Sequence, residues 1–327
     1  MTCKSICAFT VAVLFSIAFS PNRSLAEGYA FAGLSIDKFN VFWQSSVADP
    51  TNLAQGPLRD GTGSQVDLRD LNPNGGGGTS NNRRADLEST HATGSFATCL
   101  GACSKGPNDY SRPPSQPTDP LSGAKFARTN VRSSGSLFSV GHFTSPVGYD
   151  SYAELELNST ATGKTAAALG SYQSIRFFRV VDADRMVFDF DADVFMRVFR
   201  ESNLPLARVD ARTTFQIKLT DSAGNTMLDF SPNGSELEQI GGDVVADPFN
   251  LNRDLAIQPP YGASDLEIAS AGQFRVISPL LTPDVSYVLT VTSGSAVNAN
   301  NVPEPASAAF ALIAIISRMF ARKRRSG

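Results

Sequence analysis

Two histidines, one tryptophan and four cysteines are all that 327 residues supply of three side chains on which much site chemistry depends. The scarcity excludes a good deal. There is no H-E-x-x-H helix for a catalytic zinc, no G-x-x-x-x-G-K-[ST] loop for nucleotide phosphates and no G-x-S-x-G elbow for a hydrolase serine. A Ser-His-Asp triad would have to recruit His91 or His142 from separate parts of the chain. Serines are too numerous to point to one, and His142 in "SVGHFTSP" reads as a structural residue at a strand end. Amphipathic helices are lacking too. "TGKTAAALGSY" allows a helical turn at most, because Gly163 and Gly170 bracket it. No repeat of solenoid period is present.

The cysteine count falls further once the first residues are read. Lys4, an apolar run from Ile6 to Phe19 and the small-x-small triplet Ser24-Leu25-Ala26 form a secretory signal peptide over 1–26, with cleavage expected after Ala26. Cys3 and Cys7 lie within it, so the exported chain keeps Cys99 and Cys103, in "CLGAC". An oxidising compartment makes this pair a disulfide candidate. As metal ligands the two thiols have only His91 nearby, too few for a zinc site.

Charge is distributed unevenly. Of 28 Lys and Arg and 31 Asp and Glu, Lys4 and Arg23 belong to the leader. Glu304, Arg318, Arg322, Lys323, Arg324 and Arg325 belong to the last segment. Residues 27–302 therefore carry 21 basic and 30 acidic side chains, a net charge of −9. Such a body does not suit nucleic acid or an anionic membrane surface as a partner. It suits a soluble surface protein that meets cations or neutral polymers.

Strand patterns fill the body. "TTFQIKLT" alternates Phe215, Ile217 and Leu219 against Thr214, Gln216 and Lys218, and "DSAGN" then turns the chain into "TMLDF". "SYVLTVT", "GQFRVIS", "DLEIAS", "YAELELN", "GSLFSVGHF" and "IRFFRVV" add further candidates. In "GLSIDKFNVFW" the apolar register breaks after Ile36, which predicts a bulge. Short strands divided by Gly, Pro and Asn turns predict an all-β fold, a β-sandwich or jelly-roll with long irregular loops, over 27–301. Residues 44–135 read as loop-rich, with the glycine run 72–82 and the prolines of 104–125, either as surface loops on the sandwich or with short edge strands that leave no apolar signal.

"VDADRMVFDFDADVF" is the most chemical-looking stretch. On a strand it sets Asp189, Asp191 and Asp193 on one face and phenylalanines on the other. Three carboxylates are a candidate Ca²⁺ site. Neighbours on one strand face lie about 7 Å apart, however, which favours a solvated face without a bound ion. Apart from calcium, no cofactor is expected.

The last 26 residues are the most specific. Val302, Pro303, Glu304 and Pro305 form a stiff, extended element that joins neither a helix nor a central strand. Residues 306–321 follow as a short apolar segment, expected to be a transmembrane helix, with Arg318 near enough to its end to snorkel. Arg322, Lys323, Arg324 and Arg325 make a basic stop. Leader and tail thus agree on one topology, with the body outside and the basic end inside.

This order, with the leader, resembles the PEP-CTERM sorting signal of exosortase substrates. The resemblance covers 302–327 only. It implies recognition by a membrane-embedded exosortase, cleavage near Pro303-Glu304-Pro305, and delivery to the cell surface or extracellular polymeric material of a Gram-negative-type bacterium. Targeting at both ends, with an acidic, strand-rich body that lacks a catalytic motif, points to a non-enzymatic structural or adhesive role, with extracellular polysaccharide as the partner to expect. The alternative is a secreted carbohydrate-binding module or carbohydrate-active enzyme, which would present aromatics such as Trp43, Tyr110, Tyr149 or Tyr261 along a groove. A third reading keeps 302–327 as a permanent membrane anchor.

Overall fold

A computed structural model of the chain describes residues 26–45, 53–70, 79–85, 93–101, 126–134, 138–139, 142–143, 147–158, 164–200, 208–234, 240–258 and 264–300. For 53–70, 79–85, 93–101, 138–139 and 142–143 the description is of the backbone. The leader before Ala26 and the segment 302–327 lie outside the described residues, as does the expected helix 306–321. Among the described residues no helix is long and apolar enough to cross a membrane.

Every regular element among them is a strand. In chain order they are β1 (Ala26–Trp43), β2 (Leu53–Asp70), β3 (Thr79–Ala85), β4 (Thr93–Gly101), β5 (Phe126–Ser134), β6 (Phe138–Ser139), β7 (His142–Phe143) and β8 (Val147–Asn158). There follow β9 (Lys164–Val180), β10 (Met186–Arg200), β11 (Arg208–Asp221), β12 (Thr226–Phe230), β13 (Asp243–Ala246), β14 (Asp254–Ile257), β15 (Ser264–Ile277) and β16 (Ser286–Asn300). The first sheet runs β13-β15-β10-β1-β8-β5-β4. The second runs β12-β11-β16-β9-β2-β3, with β14 on β11 beside β12, and β6 and β7 form a small hairpin. The ladders of both large sheets are antiparallel. The protein is therefore all-β, built on two antiparallel sheets.

Local sequence explains the elements it announces. Phe215, Ile217 and Leu219 are fully buried, and β11 pairs β12 from Ile217↔Phe230 to Thr220↔Thr226. The turn between them is built on Asp221. Its Oδ1 accepts the backbone N–H of Ala223 at 2.9 Å and of Asn225 at 2.8 Å, and Gly224 takes φ +84°. Hydrogen bonds from the Asn225 side chain and from these N–H groups hold the Asp221 carboxyl below the usual carboxylate range. In β1 the expected bulge falls where the register breaks: both ladders slip between Ile36 and Asn40, and Lys38 takes φ 52°.

Two stretches differ from their sequence reading. Residues 44–135 hold β2, β3, β4 and β5, with β3 at one sheet edge and β4 at another. Their glycines and polar residues give no period-two apolar signal, and their strand state comes from pairing: β2 lies along β9 from Leu53↔Val180 to Asp70↔Lys164. The alanines of "TGKTAAALGSY" also belong to a strand, β9, hydrogen-bonded to β2 on one side and β16 on the other. Helix propensity yields there to two ladders.

The inner faces of the two sheets share one apolar core. Phe39 of β1, Phe190 of β10, Phe215 of β11 and Phe274 of β15 meet in it, with ring centroids 4.9 Å apart for Phe190–Phe215, 5.1 Å for Phe190–Phe274 and 5.3 Å for Phe39–Phe190. Each such pair adds about 0.5–1.5 kcal/mol beyond area burial.

Candidate functional site

With the inner face committed to the core, side-chain chemistry is found on the outer face of the first sheet. Period two sets the membership. Tyr29, Phe31, Gly33, Ser35 and Asp37 of β1 share it with Asp150, Tyr152, Glu154 and Glu156 of β8, as cross-strand partners such as Tyr29↔Glu156 and Ser35↔Asp150 require. Arg128 and Arg132 of β5 lie opposite Glu154 and Asp150.

The end of this face over β5, β8 and β1 is buried although it is polar. Arg128 donates to Glu154 Oε2 through Nε at 2.7 Å and through Nη2, while the Tyr29 hydroxyl donates to Oε1 at 2.9 Å. Both carboxylate oxygens are thus occupied, and the Arg128 guanidinium also sits over the Phe126 ring, 4.9 Å from its centroid. One turn of the pleat away, Asp150 accepts from Ser35 Oγ at 2.6 Å and from Arg132 Nε at 2.9 Å. Between these pairs Phe31, Tyr152 and Tyr29 form a second, smaller apolar cluster, flanked by Phe195 and Phe199. Gly33 makes room for it: a Cβ there would stand 2.9 Å from the Phe31 ring and 3.1 Å from that of Tyr152. Burial, followed by the Asp150 charge, pushes the Tyr152 phenol far above its ordinary range.

The other end, over β10 and β15, is open. Asp189, Asp191 and Asp193 do share a face, as the alternation indicates. Asp191 is held by Lys38 at 2.7 Å, and Asp189 by Gln273 at 3.1 Å and Arg275 at 3.4 Å. Asp193 is exposed. The three do not converge, and no group of three or more His, Cys, Asp or Glu among the described residues could hold a metal ion. Cations of the neighbouring strands thus pair with two of the three carboxylates considered as a calcium candidate from the sequence. Asp37 stands beside the row. Partial burial and the charges of Asp150, Asp193 and Asp191 raise its carboxyl above the usual range, against the pull of Arg132.

Other sequence candidates fall elsewhere. Trp43 and Tyr149 do not line a groove: both are on the inner face, buried, with Tyr149 stacked on Tyr172 at 4.1 Å between centroids. Tyr110, Tyr261, His91 and Cys103 lie outside the described residues, while Cys99 is placed by its backbone opposite Arg128. Ala26, the expected cleavage residue, opens β1 opposite Asn158. The buried Arg128–Glu154 pair and the half-buried Arg132–Asp150 pair are not announced by any motif. Their signal was Arg128 and Arg132 at even spacing in "FARTNVRSS", matched by Asp150 and Glu154 at even spacing in β8.

The class reached on these observations is an all-β protein of two antiparallel sheets, with a polar outer face used for ion pairing. No family model matches the chain, and no curated protein matches it. A solved structure, that of the infectious bursal disease virus Gx strain, aligns at 11% identity over 88% of this chain and 69% of that one, with a TM-score of 0.11. A likeness at that level carries no argument about fold or function.

Proposed function

We propose that this chain is an exported β-sandwich protein, sorted by an exosortase to the cell surface or extracellular matrix of a Gram-negative-type bacterium, where its body has a structural or adhesive role without catalysis. The observation that carries the reading is the order Val302-Pro303-Glu304-Pro305, apolar 306–321, Arg322-Lys323-Arg324-Arg325, behind a chain that opens with a signal peptide. The prolines keep the recognition element extended, and the basic cluster fixes its orientation in the membrane. A net charge of −9 on residues 27–302 suits a body kept soluble among neutral polysaccharides. Two apolar inner faces meeting in one core support the sandwich.

The test is replacement of Pro303-Glu304-Pro305 by alanines in a bacterium that carries an exosortase. The processed form is expected to disappear and the chain to accumulate in the membrane. Unchanged processing and localisation would sink the sorting claim, and mass spectrometry that finds Gly327 intact in the parent identifies a permanent anchor instead.

A further inference from the structure

β15 pairs β10 without interruption from Ser264↔Arg200 to Ile277↔Val187. On its other side β13 covers only Arg275 to Ile277. Among the described residues no strand pairs with Asp265–Gln273 on that side, and Asp265, Leu266, Glu267, Ala269, Ala271 and Gln273 are exposed. This leaves an open edge about 30 Å long at some 3.4 Å per residue.

The direction of its backbone groups can be read from the ladder. Ser278 N donates to Met186 O at 2.8 Å, so position 278 turns its polar groups toward β10. Position 277 must turn the opposite way. It does so: a Cβ on Gly242, next to β13, would lie 2.3 Å from the Ile277 carbonyl oxygen. Because the β10 ladder has no register break, the alternation continues, and Asp265, Glu267, Ala269, Ala271 and Gln273 aim N–H and C=O at the open edge. Asp265 and Glu267 put charge on this edge, but other devices that commonly protect one are missing. Residues 264–273 contain no proline and no lysine, and the ladder carries no bulge.

We propose that this edge pairs antiparallel with the same edge of a second copy of the chain, on a two-fold axis through Ala269, joining two first sheets into one. The sequence is self-complementary in that register. Ala269 meets Ala269 of the second copy, Glu267 meets Ala271, and Asp265 meets Gln273, so no carboxylate opposes another. A shift to an axis on Glu267 would set two glutamates face to face, and β13 prevents pairing beyond Gln273. Each of the five outward pairs exchanges two bonds, about ten in all. Leu266, 41% exposed in one copy, comes beside Gly272 of the other, whose inner side Pro248 and Phe249 cover. The pairing is independent of the sorting proposal and stands or falls without it.

The experiment measures the number of chains per particle for the full chain in mild detergent, by light scattering corrected for the micelle. Concentrations run from about 1 to about 500 μM, since a small edge contact associates weakly. Two chains per particle are expected for the parent. Ala269→Pro is expected to give one, with unchanged circular dichroism, because the lost N–H points away from β10 and edge strands tolerate proline there. Ala269→Glu, which keeps every backbone bond but sets two carboxylates on the axis, is expected to weaken the pairing about fivefold and covers the case in which the proline variant misfolds. A parent that stays monomeric throughout overturns the proposal, even if the edge then captures a strand of another protein. So does a dimer that Ala269→Glu leaves intact, since its contact lies elsewhere.

Discussion

The outer face of the first sheet carries arginine–carboxylate pairs at both ends, in opposite surroundings. Arg128–Glu154 retains 6% and 2% of its side-chain exposure, whereas Arg197–Asp265, with bonds of 2.9 and 2.7 Å, retains 23% and 45%. Each arginine uses Nε and Nη2, Arg128 on one oxygen of Glu154 and Arg197 on both oxygens of Asp265, but the larger difference is the solvent. In water each partner can be lost to hydration, so the exposed pair is a modest preference. Beneath the surface neither partner has a substitute, so the buried pair is an obligation once either member is present. The contrast separates what a bond looks like from what its loss costs.

The buried end offers the strongest way to break the contrast. Arg128→Met leaves Glu154 buried without its cation and is expected to cost about 3–5 kcal/mol in urea unfolding. Adding Glu154→Leu should restore most of that loss, because it is the uncompensated charge that costs. Second comes Gly33→Val, which sets new atoms against the Phe31 and Tyr152 rings; a loss of about 1–3 kcal/mol is expected by the same measurement. At the exposed end Arg197→Met should cost only about 0.2–1 kcal/mol, shrinking further in high salt. A loss as large as that of Arg128→Met would erase the distinction.

The smallest effect lies between the two ends and depends on pH. The Asp37 carboxyl titrates higher in the folded chain than in the unfolded one, so the folded state holds the extra proton between those two values. Stability from this group therefore falls as pH rises through that window, and the deficit persists above it. Asp37→Asn is expected to unfold at a higher urea concentration than the parent near pH 7, with the difference closing as the pH falls below the ordinary carboxylate range. A constant difference at all pH values would assign the effect to packing instead.

What the sequence made legible follows the same division between local and distant causes. The β11–β12 hairpin was readable because alternation and Asp221 turn chemistry agree within a few residues. The bulge near Lys38 was readable from a slip in one strand's own pattern. β2, β3 and β4 were not, because their stretches show no apolar alternation and take strand geometry from pairing, β2 with the distant β9, β3 with β2 and β4 with β5. Trp43 and Tyr149 looked like exposed aromatics until parity put them on the inner face. The three aspartates of β10 were placed on one face correctly, yet the cations that pair with two of them, Asp191 and Asp189, come from β1 and β15.

β1 and β16 have a consequence for the order of assembly. The first described strand is an interior one, with Gly28 opposite Leu157 on one side and Arg200 on the other. The last described strand is interior as well, lying between β9 and β11. Neither sheet can begin at one end and zip to the other. β1 must wait for more than a hundred residues before its first partner exists, and the second sheet stays split until residues 286–300 arrive. Such long closures slow folding. A chain emerging N-terminus first therefore keeps both sheets incomplete through most of its synthesis.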